Sequence, residues 1–341
     1  MRILMPGRIL ERQVGGNTTY TREIAERLRR RGHEIDAMRY AKSAPITAML
    51  ETIVGLSTST RRADILHYTA DTGPLLGTRL PTLVTVHGIA SRHTQVARTS
   101  AQDRVWRTRV QRAIDAADRV ITVSQSSAQD IVAEFSVDPD RLSVIPHGID
   151  HMGSPSGEIS RRVSEVLEGA PYLLYLGNIE PRKNLDQLVN AVGYDARAPR
   201  LVIAGRPAWN FESTMDQIAT APNVTYLGYV SDAERAALLR GCLLFLFPSH
   251  YEGFGLPVLE AMSYGAPVLC SNRGSLAEVG GPAFRLDSLE GEGIRSRIDE
   301  VLSDEQAPAK ARETGPAWAS RYTWASSALA HEQVYKELLA V

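Results

Sequence analysis

The sequence predicts an α/β protein made of two doubly wound parallel-sheet domains. Three observations carry this. Short apolar runs alternate with stretches of helical periodicity, the pattern of parallel strands joined by crossover helices. The alternation stops at residues 147–157 (HGIDHMGSPSG), rich in Gly, Ser and Pro, and then restarts, so that stretch reads as a linker. The length of 341 residues suits two domains of roughly 150 residues each.

In the first half, residues 2–5 read as a strand and the following loop runs to Gly16. Residues 18–31 read as a helix with Tyr20, Ile24 and Leu28 on one face, ended by Gly32. Strands follow at 34–38, 65–68 and 82–86, then an Arg-studded helix at 101–116, a strand at 119–123, a helix at 126–135 and a strand at 142–145. In the second half, strands are expected at 172–176, 201–204, 224–227, 243–247 and 268–271, with helices at 185–192, 232–239 and 256–264. The tail, 324–339, is amphipathic, with Leu329, Val334 and Leu338 expected on one apolar stripe. The domains are therefore 1–150 and 151–321, with a terminal segment 322–341.

Composition excludes several classes. Apolar residues make up 43% and charged residues 23%, so disorder is excluded. A net charge of −1 does not suit a nucleic-acid binder. The charge is uneven: residues 1–150 carry 21 Lys and Arg against 16 Asp and Glu, and the remainder carries 17 against 23. A basic first half suits an anionic partner, and Arg27, Arg29, Arg30, Arg31, Arg104, Arg107 and Arg112 are the candidates to face an anionic membrane. Cys242 and Cys270 both sit in apolar segments and read as buried reduced thiols. No signal peptide and no apolar run of about 20 residues is visible, so a cytoplasmic location is expected, with peripheral contact at the inner membrane face.

Three segments carry chemistry. Gly15-Gly16-Asn17 precedes a helix, where free amides and the positive end of the helix dipole suit an anion. The segment from Gly177 to Asn184 (GNIEPRKN) follows a strand and opens a helix. Its adjacent Arg182 and Lys183 stand where a phosphate would be held, and Asn184 is the candidate N-cap. The segment 248–262 (PSHYEGFGLPVLEAM) has Glu252 on a Gly-rich loop and Glu260 on the helix that follows, with Pro257 in its first turn. The two carboxylates can reach different parts of one extended ligand, and the amides of Phe254, Gly255 and Leu256 lie between them. G-x-G-x-x-G is absent, which counts against a dinucleotide-dependent dehydrogenase.

With these segments in this order, the chain resembles the retaining, nucleotide-sugar-dependent glycosyltransferases of family 4, which have the GT-B fold. The matching pieces are Gly15-Gly16, His87, the Glu180-Pro181-Arg182-Lys183-Asn184 segment, 227–232 (LGYVSD) and the Glu252…Glu260 pair. The resemblance implies two Rossmann-like domains facing each other across a cleft, with acceptor bound by the first and donor by the second, and the terminal helix crossing back onto the first. It implies a catalytic group of Arg182, Lys183, Glu252 and His87. Arg182 and Lys183 would grip the diphosphate, Glu252 would hold the donor sugar and His87 would touch the transferred sugar. Donor binding would fall to Gly15, Gly16, Asn178, Tyr229, Val230, Phe254, Gly255, Leu256 and Glu260, the last on the ribose hydroxyls. Asn178 departs from the family pattern, where Arg is frequent, and Gly88 stands where an acidic residue is frequent. No cofactor and no metal are expected. The donor is expected to be a nucleoside diphosphate hexose, GDP-mannose first and UDP-linked sugars next, and the acceptor a glycan, glycolipid or lipid-linked saccharide hydroxyl. The alternatives are a sugar-nucleotide epimerase of the same fold and a noncatalytic two-domain sugar-binding protein.

Overall fold

The computed structural model describes residues 1–11, 15–59, 62–94, 97–150 and 157–340. The chain forms two compact units. Unit 1 comprises Met1–Arg92, Arg98–His151 and Tyr322–Val341, and unit 2 comprises His93–Ala97 and Met152–Arg321. Residues 151–156 of the expected linker, and part of the loop before Gly15, lie outside the described residues.

Unit 1 runs β1 (Arg2–Pro6), α1 (Gly7–Leu10), α2 (Gly16–Arg30), β2 (Glu34–Met38), α3 (Ala44–Ser57), β3 (Ile65–Tyr68) and β4 (Thr82–Thr85). It continues with α4 (Ser100–Ala116), β5 (Arg119–Thr122), α5 (Gln125–Phe135) and β6 (Leu142–Val144). Its sheet is parallel, in the order β2-β1-β3-β4-β5-β6. Alternate residues of β1 feed opposite faces: Ile3 and Met5 pack with Tyr20, Ile24 and Leu28 of α2, while Leu4 packs with Tyr68, Val84 and Val110. Helices α1 and α3 are additions to the expected pattern.

Unit 2 runs α6 (Arg161–Leu167), β7 (Tyr172–Leu176), α7 (Leu185–Val192), β8 (Arg200–Ala204), α8 (Glu212–Thr220), β9 (Val224–Gly228), α9 (Asp232–Gly241) and β10 (Leu244–Phe247). It ends with α10 (Leu256–Ser263), β11 (Val268–Ser271), α11 (Ser275–Val279), β12 (Phe284–Leu286), α12 (Gly291–Ser303) and α13 (Gln306–Ala319). All its strands are parallel, in the order β12-β11-β10-β7-β8-β9. The direction of winding reverses between β7 and β10, and in open α/β sheets ligands bind at that switch point, beyond the carboxyl ends of the strands. Cys242 and Cys270 are buried free thiols, and burial raises them to about 12 and about 11.

The terminal helix α14 (Trp324–Leu339) packs within unit 1 against α2. Its buried face is Trp324, Ser327, Ala328, His331, Val334 and Tyr335, a three- and four-residue spacing. Leu329 falls off that stripe and is 53% exposed, which corrects the expectation for this residue. The anchor is a close backbone approach: Trp324 N donates to Asp150 Oδ1 at 2.5 Å, and Ile149 N donates to the carbonyl of Tyr322 at 3.1 Å. A Cβ on Gly148 would stand 2.0 Å from the Trp324 nitrogen, so only glycine fits there.

Candidate functional site

The site in unit 2 is built by the two loops at the switch point. After β7, the chain turns through Gly177 and enters a 3₁₀ turn at Pro181–Lys183. After β10, the loop 248–255 leads into α10. Lys183 Nζ donates to Glu252 Oε1 at 2.6 Å, and Arg182 Nη1 donates to Glu252 Oε2 at 2.8 Å. The same Nη1 reaches the Tyr251 carbonyl at 2.7 Å, and Nε and Nη2 reach Glu180 Oε1 at 3.1 and 2.5 Å. Glu180 also accepts from Trp209 Nε1 at 2.9 Å. The Gly-rich loop is pinned by His250 N donating to the Arg182 carbonyl and by Ser275 Oγ donating to the Glu252 carbonyl.

The electrostatics follow from burial. Lys183 is only 6% exposed, with its ammonium 4.7 Å from the centre of the Phe247 ring. Burial lowers its pKa, and Glu252 opposes that drop. For Glu252, burial works against the carboxylate, but Lys183 and Arg182 outweigh it and hold the group at about 2. For Arg182, burial opposes the charge, and Glu252 with Glu180 more than offsets it, leaving the pKa above the ordinary value. The cluster therefore interlocks two basic and two acidic side chains, with Glu252 held as the carboxylate by its cations.

Glu260 stands on α10. Burial raises its carboxyl, opposed by the Arg235 guanidinium at 3.8 Å. The N-cap of α10 is Gly255, whose φ is 106° and whose Cβ would lie 2.6 Å from Leu276 Cδ2, so backbone and packing both demand glycine. Pro257 sits in the first turn, where its missing N–H costs nothing. Phe254 is buried, Leu256 half-buried and Asn178 exposed. Tyr229 is 59% exposed with the Arg206 guanidinium 4.3 Å from its ring centre; Arg162 holds the carbonyls of Leu227 and Tyr229 at 2.6 Å each, beside half-buried Val230.

Asn184 corrects the capping expectation. It occupies the N-cap position of α7 with φ 59°, but its side chain caps nothing in the helix and donates to the Leu289 carbonyl at 2.8 Å. Sequence reasoning gave no role to Trp209, Glu180 or Arg235. Glu180 was legible as part of its motif, whereas nothing local marks Trp209, which lies 29 residues from its partner.

In unit 1, Gly15 is the N-cap of α2 with φ 120°, and a Cβ on Gly16 would meet no described atom within 4 Å. Asn17 Nδ2 donates to Asp71 Oδ2 at 3.3 Å, and Asp71 Oδ1 accepts the His87 amide at 2.7 Å. The His87 ring is fixed by Nε2 against the Thr69 carbonyl at 2.9 Å and stacks on His147 with centroids 5.6 Å apart. Behind it runs a buried chain that the sequence did not suggest. Tyr20 OH meets Thr85 Oγ1 at 2.9 Å and His331 Nε2 at 2.7 Å, and His67 bridges Thr85 Oγ1 at 2.8 Å to Tyr335 OH at 2.7 Å. Burial lowers both histidines, His331 to about 4, so both are neutral at pH 7.

The arginines expected at a membrane divide. Arg27 pairs with Glu23 and Asp150, Arg30 with Glu26, Arg31 with Glu332, and Arg107 with Asp103 and Glu134, while Arg29 donates to the Ile35 carbonyl. Arg104 and Arg112 lie elsewhere, along a groove on α4. Among the described residues no group of three or more His, Cys, Asp or Glu is placed to hold a metal. Asp138 caps a 3₁₀ turn at Pro139–Arg141, its Oδ1 accepting the Asp140 amide at 3.0 Å. Among those residues no helix is long and apolar enough to cross a membrane.

Two six-stranded parallel sheets, each flanked by helices, with charged loops at a switch point define a two-domain α/β fold of the GT-B glycosyltransferase class. Family models agree: residues 157–318 match "Glycosyl transferases group 1", and residues 40–152 match "Glycosyltransferase Family 4". The chain belongs to the family 4 type of glycosyltransferases. It is 32% identical to the O-antigen chain mannosyltransferase B of Escherichia coli over 236 residues, covering 66% of this chain and 62% of that protein. It is 30% identical to the MMP alpha-(1->4)-mannosyltransferase of Mycolicibacterium hassiacum, covering 65% and 54%. The matches thus span less than two thirds of these relatives' own length. Among solved structures, sucrose-phosphate synthase from Thermosynechococcus elongatus superposes with a TM-score of 0.77 at 18% identity, covering 99% of each chain. Anabaena Alr3699/HepE in complex with UDP-glucose gives 0.73 at 18% identity, covering 100% of this chain and 99% of that one.

Proposed function

We propose that the protein transfers a hexose from a nucleoside diphosphate sugar to an acceptor hydroxyl with retention of anomeric configuration and without a metal. The observation that supports this most directly is the Lys183–Glu252–Arg182 cluster at the switch point of unit 2. In this reading the β7 and β10 loops hold the donor. Glu260 accepts hydrogen bonds from the ribose diol, as a carboxylate can. The exposed Tyr229 ring and the 228–230 backbone meet the base. Loss of the nucleoside diphosphate builds negative charge, and Arg182, Lys183 and the amides at Phe254–Leu256 are preorganised to stabilise it. Glu252 keeps both cations charged and aimed, and its free lone pairs can take a sugar hydroxyl. The leaving phosphate takes the acceptor's proton on the face it departs from, which gives retention. Unit 1, with Gly16 and His87, is assigned to the acceptor and the transferred sugar.

The mannosyltransferase names of the relatives support mannose as the transferred sugar, with GDP-mannose the donor to try first, and the UDP-glucose complex of a structural neighbour makes a UDP-linked hexose the second choice. The acceptor is a glycan, glycolipid or lipid-linked saccharide. A melting-temperature screen with GDP, UDP and ADP is expected to show one selective stabiliser, because a ligand bound only by the folded state raises its melting point. Product analysis with the matching sugar nucleotide is then expected to give an axially or equatorially linked glycoside of unchanged anomeric configuration. An epimerised nucleotide sugar with no glycoside, or binding with no turnover on any acceptor, overturns the assignment.

A further inference from the structure

The loop after β8 reaches the charge cluster of unit 2 without adding a charge to it. It leaves the strand at Gly205, whose φ is 152° and whose Cβ would lie 1.8 Å from the Gly177 carbonyl oxygen, so the loops after β7 and β8 run in backbone contact. Ile179 N donates to the Arg206 carbonyl at 2.9 Å, and Ala208 N donates to the Ile179 carbonyl at 3.0 Å, which fixes the register between the two loops. The next residue is Trp209, whose Nε1 donates to Glu180 Oε2 at 2.9 Å. Glu180 is buried, and its other oxygen, Oε1, receives Nε and Nη2 of Arg182. Each oxygen of this carboxyl group thus has its own partner, Oε2 the indole and Oε1 the guanidinium.

A guanidinium has five N–H donors. In Arg182, Nε is committed to Glu180, the two Nη1 hydrogens to Glu252 Oε2 and the Tyr251 carbonyl, and one Nη2 hydrogen to Glu180. One N–H, on Nη2, is left for a phosphate oxygen. Its direction follows the plane of the guanidinium, which Glu180 holds along one edge. The Glu180 carboxyl can turn about its last side-chain bond, and the indole restrains it. An indole N–H donates and accepts nothing, so Trp209 ties down Oε2 without competing for any Arg182 hydrogen. Loss of that donor leaves a buried oxygen unpaired, and the carboxyl turns to recover a partner, taking the guanidinium out of line.

We propose that Trp209 is a positioning residue for sugar transfer: through Glu180 it aims the remaining Nη2 hydrogen of Arg182 at the phosphate that departs from the sugar. The assignment rests on the transferase reading above. It places the effect on the transition state, because charge builds on that phosphate as the bond to the sugar breaks, while Lys183 and Glu260 still hold the nucleotide. The test is a cycle of Trp209→Phe, Glu180→Gln and the double variant of the full chain. Release of nucleoside diphosphate from GDP-mannose and from UDP-glucose gives kcat and KM, with methyl α-mannoside or water as acceptor. Calorimetry with GDP and UDP gives nucleotide affinity, and a circular dichroism melt checks the fold. Trp209→Phe keeps a ring and removes the donor; it is expected to lower kcat about tenfold and to leave nucleotide affinity within about twofold. A glutamine at 180 has one oxygen for two donors, so Glu180→Gln is expected to show the same loss, and adding Trp209→Phe to it is expected to cost nothing more. A tryptophan that merely packs the loop adds its loss to that of Glu180→Gln. Should Trp209→Phe not fold, Glu180→Gln is read alone: lower kcat at native affinity supports the proposal and native kcat overturns it. Native kcat in folded Trp209→Phe, additive losses, or a loss confined to nucleotide affinity overturns the positioning role and leaves the transferase reading standing. No release from either donor by the native chain overturns that reading, and the role of Trp209 falls with it.

Discussion

Glu252→Gln tests the cluster at the switch point most directly, because it keeps the shape of the side chain and removes one charge. In the native protein, Glu252 receives Lys183 at 2.6 Å and Arg182 at 2.8 Å. Arg182 retains Glu180 in the variant, but Lys183, 6% exposed, loses its carboxylate. Removing one partner of a buried pair costs about 3–5 kcal/mol, and the lower end applies because Lys183 can shed its proton. A loss of about 3 kcal/mol moves a urea transition by roughly 1 M or more. The pH dependence has a definite sign. The folded carboxyl titrates at about 2, below its ordinary range, so its contribution is fully present above about pH 4.5 and is lost as pH falls toward 2. The native and variant curves are therefore expected to differ most at pH 7 and to converge in acid. Turnover is expected to fall by about 100-fold or more, since Lys183 loses its carboxylate and Arg182 one of its anchors. The assays are urea denaturation monitored by tryptophan fluorescence at pH 3 and 7, and initial rates with the donor found by melting screen. Native stability together with native turnover in Glu252→Gln would refute the reasoning.

Three further outcomes are expected. Lys183→Ala and Glu260→Ala should each lower turnover at least about tenfold in a folded protein, the second chiefly through donor affinity measured by calorimetry. Glu51→Gln should stabilise the protein by up to about 3 kcal/mol at pH 8 and by nothing near pH 4. Burial raises the Glu51 carboxyl to about 7, so the native protein bears a growing penalty as pH rises from about 4.5 through 7, and melting curves of the two proteins across that range check it. Gly148→Ala should destabilise unit 1 by about 1–3 kcal/mol, because the new methyl meets the Trp324 backbone at 2.0 Å, and early proteolytic release of the terminal helix would reveal it.

The sequence determined by itself what rests on local pattern. Most of the parallel strands and the loops at their carboxyl ends were legible because apolar periodicity and Gly or Pro placement act within a few residues, whereas β12 and helices α3, α6, α8, α11, α12 and α13 were not expected. Gly255 and Pro257 show this: the turn and the helix start they imply are both present. Only the tertiary structure decided what depends on residues meeting across the chain. It joined Arg182 to Glu252 from 70 positions away and set Trp209 on Glu180, turning two separate motifs into one interlocked charge cluster. It turned the Asn184 side chain away from its helix toward Leu289 and left Leu329 of α14 exposed. It also buried Glu51 and exposed Ile46, Met49, Ile53 and Leu56, because the face a helix hides is set by the neighbours it packs against as much as by its own composition.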